Sequence, residues 1–423
     1  MQPAQAHDSY AALRIPAFRR YLGANAALFL GLQMQNTAIG WELYERTGSE
    51  LHLGYINLAR FFATASLILF TGHITDVYNR KKILMGAVAL STLAAIGLAW
   101  NSAADGPILL AYVFVALTGV SRAFWFPARA SFLPRIVPRA TFTNAASWNS
   151  TTFELTTVSG PPLAAFLISL LGRASVVYLI TGAAALVSFG LIATIRYQHD
   201  QSAKQPWTVR SVFAGLGYIR RTRVVLAAMT LDMFGVLLGG ATTLMPVFAK
   251  DILKVGVNGL GWLNAAPAIG AAAMAMIQAR RRSFAKPGRA LLLAVTGFGL
   301  ATILFGFSTN FWLSMGALAI LGMCDNVSVV IRTTLVQMLT PDEMRGRVSS
   351  INGLFITSSN DLGGFESALI SKVLSPVASV VSGGIGTIAV VAAVALLWPE
   401  LRHQGTPEKE PARVSTAAGG ADP

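Results

Sequence analysis

The sequence predicts an all-α membrane protein of twelve transmembrane helices in two pseudo-symmetric six-helix halves, and three observations carry that expectation. Of 423 residues, 54% are hydrophobic and only 12% are charged, whereas charged residues make up about a quarter of a soluble domain. The apolar residues fall into twelve runs long enough to cross a bilayer, which takes roughly 17 to 25 residues. The chain also repeats itself. Leu53-Gly-Tyr-Ile-Asn57-Leu-Ala59 returns as Leu260-Gly-Trp-Leu-Asn264-Ala-Ala266, and Gly119, Arg129, Pro138 and Asn149 align in order with Gly322, Arg332, Pro341 and Asn352. Two such halves are expected to be related by an axis along the membrane normal.

In chain order the runs lie near 21–44, 51–73, 83–101, 107–128, 142–170, 174–195, 224–249, 258–279, 289–308, 310–333, 346–373 and 379–398. Several contain Gly, Pro or polar residues, which membrane helices tolerate when neighbouring helices satisfy the freed backbone groups. Residues 1–20 form a polar segment, and the first run is too long for a signal-peptide core, so it reads as a retained helix. The halves are 21–197 and 224–399, joined by a linker at 198–223. In that linker Val209, Val212, Phe213, Leu216 and Ile219 recur at helical spacing beside Arg210, Arg220 and Arg221. An amphipathic helix lying on the inner membrane surface and a solvated connector whose helix docks on the protein both fit the pattern. Residues 400–423 form a tail, rich in Pro, Glu, Lys, Ala and Gly from Gln404 on and expected to be disordered.

A net charge of +14 would suit a nucleic-acid partner, but the positions of the 33 Lys and Arg argue otherwise. With the N-terminus inside, twenty-five fall on the cytoplasmic side, five on the opposite side, and Arg60, Arg122 and Arg332 within spans. That bias puts both termini in the cytoplasm of a cell (inner or plasma) membrane and makes the lipid bilayer, not nucleic acid, the partner. Catalysis finds no support. No Gly-rich phosphate loop with Lys is present, and five His and the single Cys324 make no metal-ligand cluster, so neither metal, cofactor nor enzyme activity is expected.

The loop Gly72-His-Ile-Thr-Asp76-Val-Tyr-Asn-Arg80-Lys81-Lys82 carries the most specific signal. Its spacing resembles the loop between helices 2 and 3 of major facilitator superfamily transporters. The resemblance implies a conformational latch: Gly72 allows close helix approach, Asp76 faces a neighbouring helix N-terminus, and Arg80, Lys81 and Lys82 hold the loop in the cytoplasm. Val77 and Asn79 depart from the family pattern, which has Arg after the Asp and often Gly before the basic run. The end of the first span (Trp41 to Ser49), the seventh (Leu231-Asp232 and Met245-Pro246 to Leu253) and the segment Ile331 to Ser349 together resemble the enterobactin-exporter-like branch, whose members are siderophore- or drug-exporter-like. Gly160-Pro161 matches the start of an exporter motif on helix 5 that ends in Gly-Gly, where this chain has Ala164-Ala165. The resemblance implies a bend and tight packing there that restrict leak.

Ionisable groups within spans cost several kcal/mol unless paired, hydrated or protonated, which makes each a functional candidate. The sequence offers Arg60, Arg122, Glu154, Asp232, Asp325, Arg332, Asp361 and Glu366. Arg122 and Asp325 coincide in the repeat, so they are expected either to form a breakable pair that closes the cytoplasmic end, or to pair permanently within their own halves. Asp232 sits among Leu, Met, Phe and Gly, where a carboxyl can be held neutral, and is the first candidate for proton coupling, with Asp325 second. Glu154 completes a polar face with Thr143, Ser147, Ser150 and Thr157 that lines either a cavity or a helix contact. Arg60 is expected to be a structural tie, with Glu42 or Glu45 as candidate partners, and Asp361 and Glu366 to be inter-helical anchors.

Gln33, Asn36, Trp41, Trp125 and Phe126 combine amides with aromatic faces and are candidate cavity residues for a bulky amphipathic ligand, although aromatics at helix ends also serve as interfacial anchors. The leading expectation is therefore proton-coupled efflux of a small molecule by alternating access, with one chain sufficient as a monomer. The alternatives are an uncoupled facilitator or importer of a polar metabolite and, in a different class, a membrane scaffold.

Overall fold

The computed structural model describes residues 8–197, 216–280, 284 and 286–403, with the side chains of residues 68, 69, 72, 73, 76, 342, 343 and 350 outside that description. It is all-helical, with no strand among the described residues. The first six helices are α1 (Pro16–Thr47), α2 (Glu50–Val77), α3 (Arg80–Ala103), α4 (Ile108–Ile136), α5 (Phe142–Leu171) and α6 (Ser175–Ala193). The second six are α7 (Arg223–Leu238, continuing irregularly to Ile252), α8 (Gly256–Arg280), α9 (Pro287–Phe307), α10 (Phe311–Leu339), α11 (Asp342–Val373) and α12 (Pro376–Leu397). Among the described residues, nine of them are long and apolar enough to cross a membrane by length and composition, the exceptions being α1, α2 and α11. The expected twelve spans are thus met by composition in nine cases.

Local chemistry sets the ends. Pro16 at the first helical position starts α1, and Gly48, in the left-handed region at φ 61°, stops it. Asn79, one of the two departures from the family pattern, caps α3 by accepting from the amides of Lys81 and Lys82. Asn310 caps α10 and Ser375 caps α12 in the same way. Within the segment 1–20, α1 already begins at Pro16 and Phe18 is fully buried. The expected tail starts later. Residues 400–403 belong to a short helix, Pro399–His403, in which Leu401 is buried and Glu400 pairs with Arg223 at 2.7 Å. That guanidinium, after the residue's own backbone N–H, holds the half-buried Glu400 carboxyl below its ordinary value.

Most of the linker, 198–215, lies outside the described residues, as does the tail from 404. Its end, 216–221, is helical and docked: Ile219 is buried against Val225, Met229 and Val348, and the Tyr218 hydroxyl donates to the Leu339 carbonyl. For this part the docking alternative holds.

The two sets of six pack alike. In the first, α1 lies against α5 and α6, α2 against α4, and α3 against α4 and α6; in the second, α7 lies against α11 and α12, α8 against α10, and α9 against α10 and α12. One hydrogen bond is reproduced almost atom for atom. Thr181 on α6 donates to the Gly31 carbonyl on α1 at 2.9 Å, and Thr387 on α12 donates to the Gly235 carbonyl on α7 at 2.9 Å. Two contacts of equivalent position join the halves, α2 with α11 and α5 with α8.

The repeated Leu-Gly pair explains those joints. A Cβ on Gly54 would lie 2.8 Å from the Ala368 methyl on α11, and one on Gly261 would lie 2.6 Å from the Ala165 methyl and 2.9 Å from the Pro161 carbonyl on α5. Small residues at both sites let the helix backbones approach across the interface.

Candidate functional site

The joints lie at one end of the molecule. There a single apolar cluster draws on both halves, with Met34, Trp41 and Leu53 packed among Leu244, Phe248 and Leu260. Polar contacts reinforce it: the Tyr44 hydroxyl donates to the Asp251 carboxylate, Asn57 to Thr243 at 3.1 Å, and Asn258 to Ser169 at 2.9 Å. At the opposite end, which carries the basic α2–α3 loop, the buried clusters separate by half. Phe18, Tyr21 and Phe132 belong to one, and Leu231, Leu291 and Leu335 to another. Among the described residues, the molecule is sealed at the α1–α2 loop end and divided at the basic end.

Just below the seal is a cavity of about 220 Å³ between the halves. Asn36, Asn57 and Arg60 line it from one half, and Thr242, Thr243 and Asn264 from the other. The irregular stretch of α7 supplies this wall. The expected continuous run 224–249 breaks at Gly239-Gly240, where Gly240 abuts the Gly363 backbone of α11, and gives way to a 3₁₀ turn, Ala241–Leu244. Non-helical backbone at membrane depth is tolerated where it is buried in protein or lines a cavity. Hydropathy alone could not have found that break.

Arg60, on the cavity wall, belongs to a set of three interacting charges from three helices. Arg60 of α2 donates to the Asn36 amide oxygen at 3.2 Å, not to Glu42, which is taken by the Tyr178 hydroxyl at 2.7 Å and Arg46 at 3.5 Å. Arg122 of α4 lies 5.5 Å above the Phe126 ring. Both guanidiniums interact electrostatically with Asp361 of α11, a residue only 4% exposed.

A second charge group sits within the other half. Asp232 of α7 and Arg332 of α10 form an ion pair, 6% and 3% exposed. Asp232 also shares a pocket of about 10 Å³ with Asp325, Ser328 and Phe298, a volume close to one water. The structure thus joins three predicted residues, Asp232, Arg332 and Asp325, in one site. Among the described residues no ion pair links Arg122 with Asp325 in this conformation; each has neighbours in its own surroundings. Glu154 stands half-buried on α5, and among the described residues no ion pair joins it to either group.

The predicted cavity residues divide. Asn36 lines the cavity and receives Arg60, and Gln33 accepts from Asn36 at 3.5 Å. Phe126 is 49% exposed beneath Arg122. Trp41 does not line the cavity: it is 8% exposed and packed into the apolar seal. Trp125 is also buried, edge-on to Phe29 at 4.9 Å. Arg60 does tie α2 to α1, through Asn36 and not through the expected Glu42, and it also lines a polar cavity that a run apolar on average did not reveal.

Of the latch, the Asp76 side chain lies outside the described residues, and Gly72 falls within α2. Lys81 does more than mark a side. Its ammonium donates to the carbonyls of Ala193 and Ile195, both at 2.7 Å, satisfying the C-terminus of α6. Arg80 is buried and Lys82 exposed. The Gly160-Pro161 motif sits at two contacts: a Cβ on Gly160 would reach the Gln33 side chain of α1, and Pro161 meets Gly261 of α8.

The family model of the Major Facilitator Superfamily matches residues 21–355 and again 257–420. The chain belongs to the major facilitator superfamily. It is a multi-pass membrane transporter of that superfamily, not an enzyme. It is 25% identical over 392 residues to the enterobactin exporter EntS of Shigella dysenteriae serotype 1 (strain Sd197), covering 92% of this chain and 93% of that protein. EntS of Escherichia coli (strain K12) matches with the same identity and coverage. Among solved structures, a bacterial homolog of the human lysosomal transporter Spinster, inward-facing and unoccupied, aligns with TM-score 0.67 at 13% identity over 92% of this chain and 95% of that one. The nucleoside transporter NupG aligns with TM-score 0.70 at 11% identity, over 91% and 99%. These superfamily structures share the fold.

Proposed function

We propose that this transporter exports a small amphipathic compound by alternating access, driven by protons that enter and leave through Asp232. The observation that carries the reading is the buried Asp232–Arg332 pair. Losing one partner of a buried pair leaves the other uncompensated at a cost of about 3 to 5 kcal/mol. Protonating Asp232 therefore forces Arg332 to find new surroundings, which links a proton to a shift of α10 against α7. Asp325, on the wall of the same small pocket, is within reach of a proton relayed by one water.

Efflux as the direction draws on the likeness to the enterobactin exporters. The excess of Lys and Arg at the basic end supports an inner or plasma membrane orientation with that end and both termini in the cytoplasm. In that orientation the divided end faces inward and the seal faces outward. Arg122 and Asp325 would then pair in the outward-open state, when the cytoplasmic ends close. The latch residues Gly72, Asp76, Arg80, Lys81 and Lys82 act in that same closure, and Gly160-Pro161 limits leak at the α5–α8 joint. Glu154 is assigned a supporting place in the charge network, Gln33, Asn36 and Phe126 the ligand cavity, and a single chain the working unit.

The test is uptake into everted vesicles of a compound to which a deletion strain proves hypersensitive. Wild type concentrates it only with an imposed proton gradient, and Asp232→Asn abolishes that dependence while remaining monodisperse. Transport by Asp232→Asn equal to wild type would remove Asp232 from the mechanism.

A further inference from the structure

The charges around the central cavity do not balance. Among the described residues Arg60 is its only ionisable lining residue, and the carboxylate that interacts with it, Asp361, serves Arg122 as well. Neither guanidinium forms an ion pair with a carboxylate within 4.0 Å among the described residues; Arg60 settles for an amide oxygen and Arg122 for an aromatic face. Asp361, for its part, keeps one carboxylate oxygen, Oδ2, buried without a hydrogen-bond partner among the described residues. Two guanidiniums sharing one distant carboxylate leave a surplus positive charge, which is costly at membrane depth unless something brings a negative one. The polar lining groups besides Arg60 are Asn and Thr side chains, among them Asn36, Asn57, Thr243 and Asn264, neutral donors and acceptors that add shape and polarity but no charge.

We infer that the central site takes an amphipathic organic anion, whose acidic group binds Arg60 and Arg122 and whose apolar body rests on the exposed face of Phe126. Guanidiniums are the donors best matched to planar acidic groups. Asp361 stands in for that anion when the site is empty. Because Arg60 and Arg122 belong to one half and Asp361 to the other, an arriving anion competes with a charge interaction between the halves. Binding therefore weakens the hold of α11 on α2 and α4, which gives the ligand its means of promoting the conformational change. The inference deepens the export reading by naming the substrate class and rests on it only for the direction of travel.

The experiment measures equilibrium binding, with no gradient imposed, to the full chain in nanodiscs of zwitterionic lipid. The probes are three labelled aromatics of matched size: 2-naphthoate, 2-naphthylmethanol and 2-naphthylmethylammonium. Wild type is expected to bind naphthoate about tenfold tighter than the alcohol, the advantage of a charge-assisted hydrogen bond. Arg60→Gln and Arg122→Gln each abolish that preference, whereas Arg60→Lys keeps much of it. Asp361→Asn, by removing the internal competitor, tightens naphthoate binding, a gain that misfolding cannot imitate. Repeating the titration with phosphatidylglycerol in the discs separates two sources of anion. Unchanged affinity assigns the site to a soluble anion, and weakening in step with the anionic lipid assigns it to a headgroup. Preference for the ammonium or the alcohol, failure of naphthoate to bind at millimolar concentration, or a preference that survives both Gln variants would overturn the inference. A tightly bound cation whose transport still follows the proton gradient would do so while leaving the export reading intact.

Discussion

Arg129 and Arg332 occupy equivalent positions in the two halves, yet they are stabilised in different ways. Arg129 lies 4.6 Å above the Phe29 ring and 4.8 Å from that of Trp125. Arg332 is paired with Asp232. The duplicated hydrogen bonds at Gly31 and Gly235 set the correspondence of α1 with α7, and three residues earlier on each helix stand Leu28 and Asp232. One half thus cages its arginine with aromatic rings, which no proton can switch off, and the other neutralises it with a carboxylate, which a proton can. The lesson is that the duplication supplies the scaffold, and a single acid at position 232 gives one half a titratable core.

The comparison breaks most visibly at Arg332. Arg332→Ala leaves Asp232 buried and unpaired, and the expected loss is about 3 to 5 kcal/mol, seen as a lower midpoint of thermal unfolding in detergent. Replacing both partners together, Asp232→Leu with Arg332→Met, should recover most of that stability, since well-packed apolar residues substitute for buried pairs, while gradient-driven transport stays lost. A double variant no more stable than Arg332→Ala would mean that the pair is not the source of the loss.

A smaller effect is expected at the joints the two halves share. In Gly261→Ala the new methyl would lie 2.6 Å from the Ala165 methyl, and overpacking of this kind costs about 1 to 3 kcal/mol. The cost falls on the sealed state, so the variant should expose cysteines placed at the α1–α2 end to a membrane-impermeant thiol reagent. Unchanged labelling would argue that the α5–α8 contact does not hold the seal.

The least costly change is Arg129→Ala, which gives up cation–π contacts together worth about 0.5 to 2 kcal/mol. It should lower thermal stability modestly and leave the gradient dependence of transport as in wild type. Loss of that dependence would erase the distinction between the halves.

These contrasts also mark what could be read from the residues alone. The helical architecture and its duplication were legible, because lipid demands long apolar runs and the repeat preserves Leu53-Gly54 and Leu260-Gly261, the pairs that let helices cross. Asp232 and Arg332 were legible as charges out of place, but their pairing was not, since nothing in two residues on α7 and α10 announces that their side chains meet. Conversely, the repeat set Arg122 opposite Asp325. Equivalence by symmetry fixes corresponding places in two halves, not contact, and in this conformation each faces other groups. Trp41 lies in the seal and Arg60 lines the cavity as well as tying α2 to α1, because a span's average polarity does not reveal which face meets the cavity and which meets the seal.

The central claim is that the protonation state of Asp232 decides which end of the molecule is open. Spin labels at Arg139 and Arg347, exposed at the divided end, with Cys324 replaced by Ala, report the separation of the halves there by pulsed electron resonance as pH is varied. The account predicts that the distance distribution of the otherwise native protein shifts between two populations with pH and that Asp232→Asn holds one population throughout. A distribution indifferent to pH, or one that shifts equally in Asp232→Asn, would contradict it.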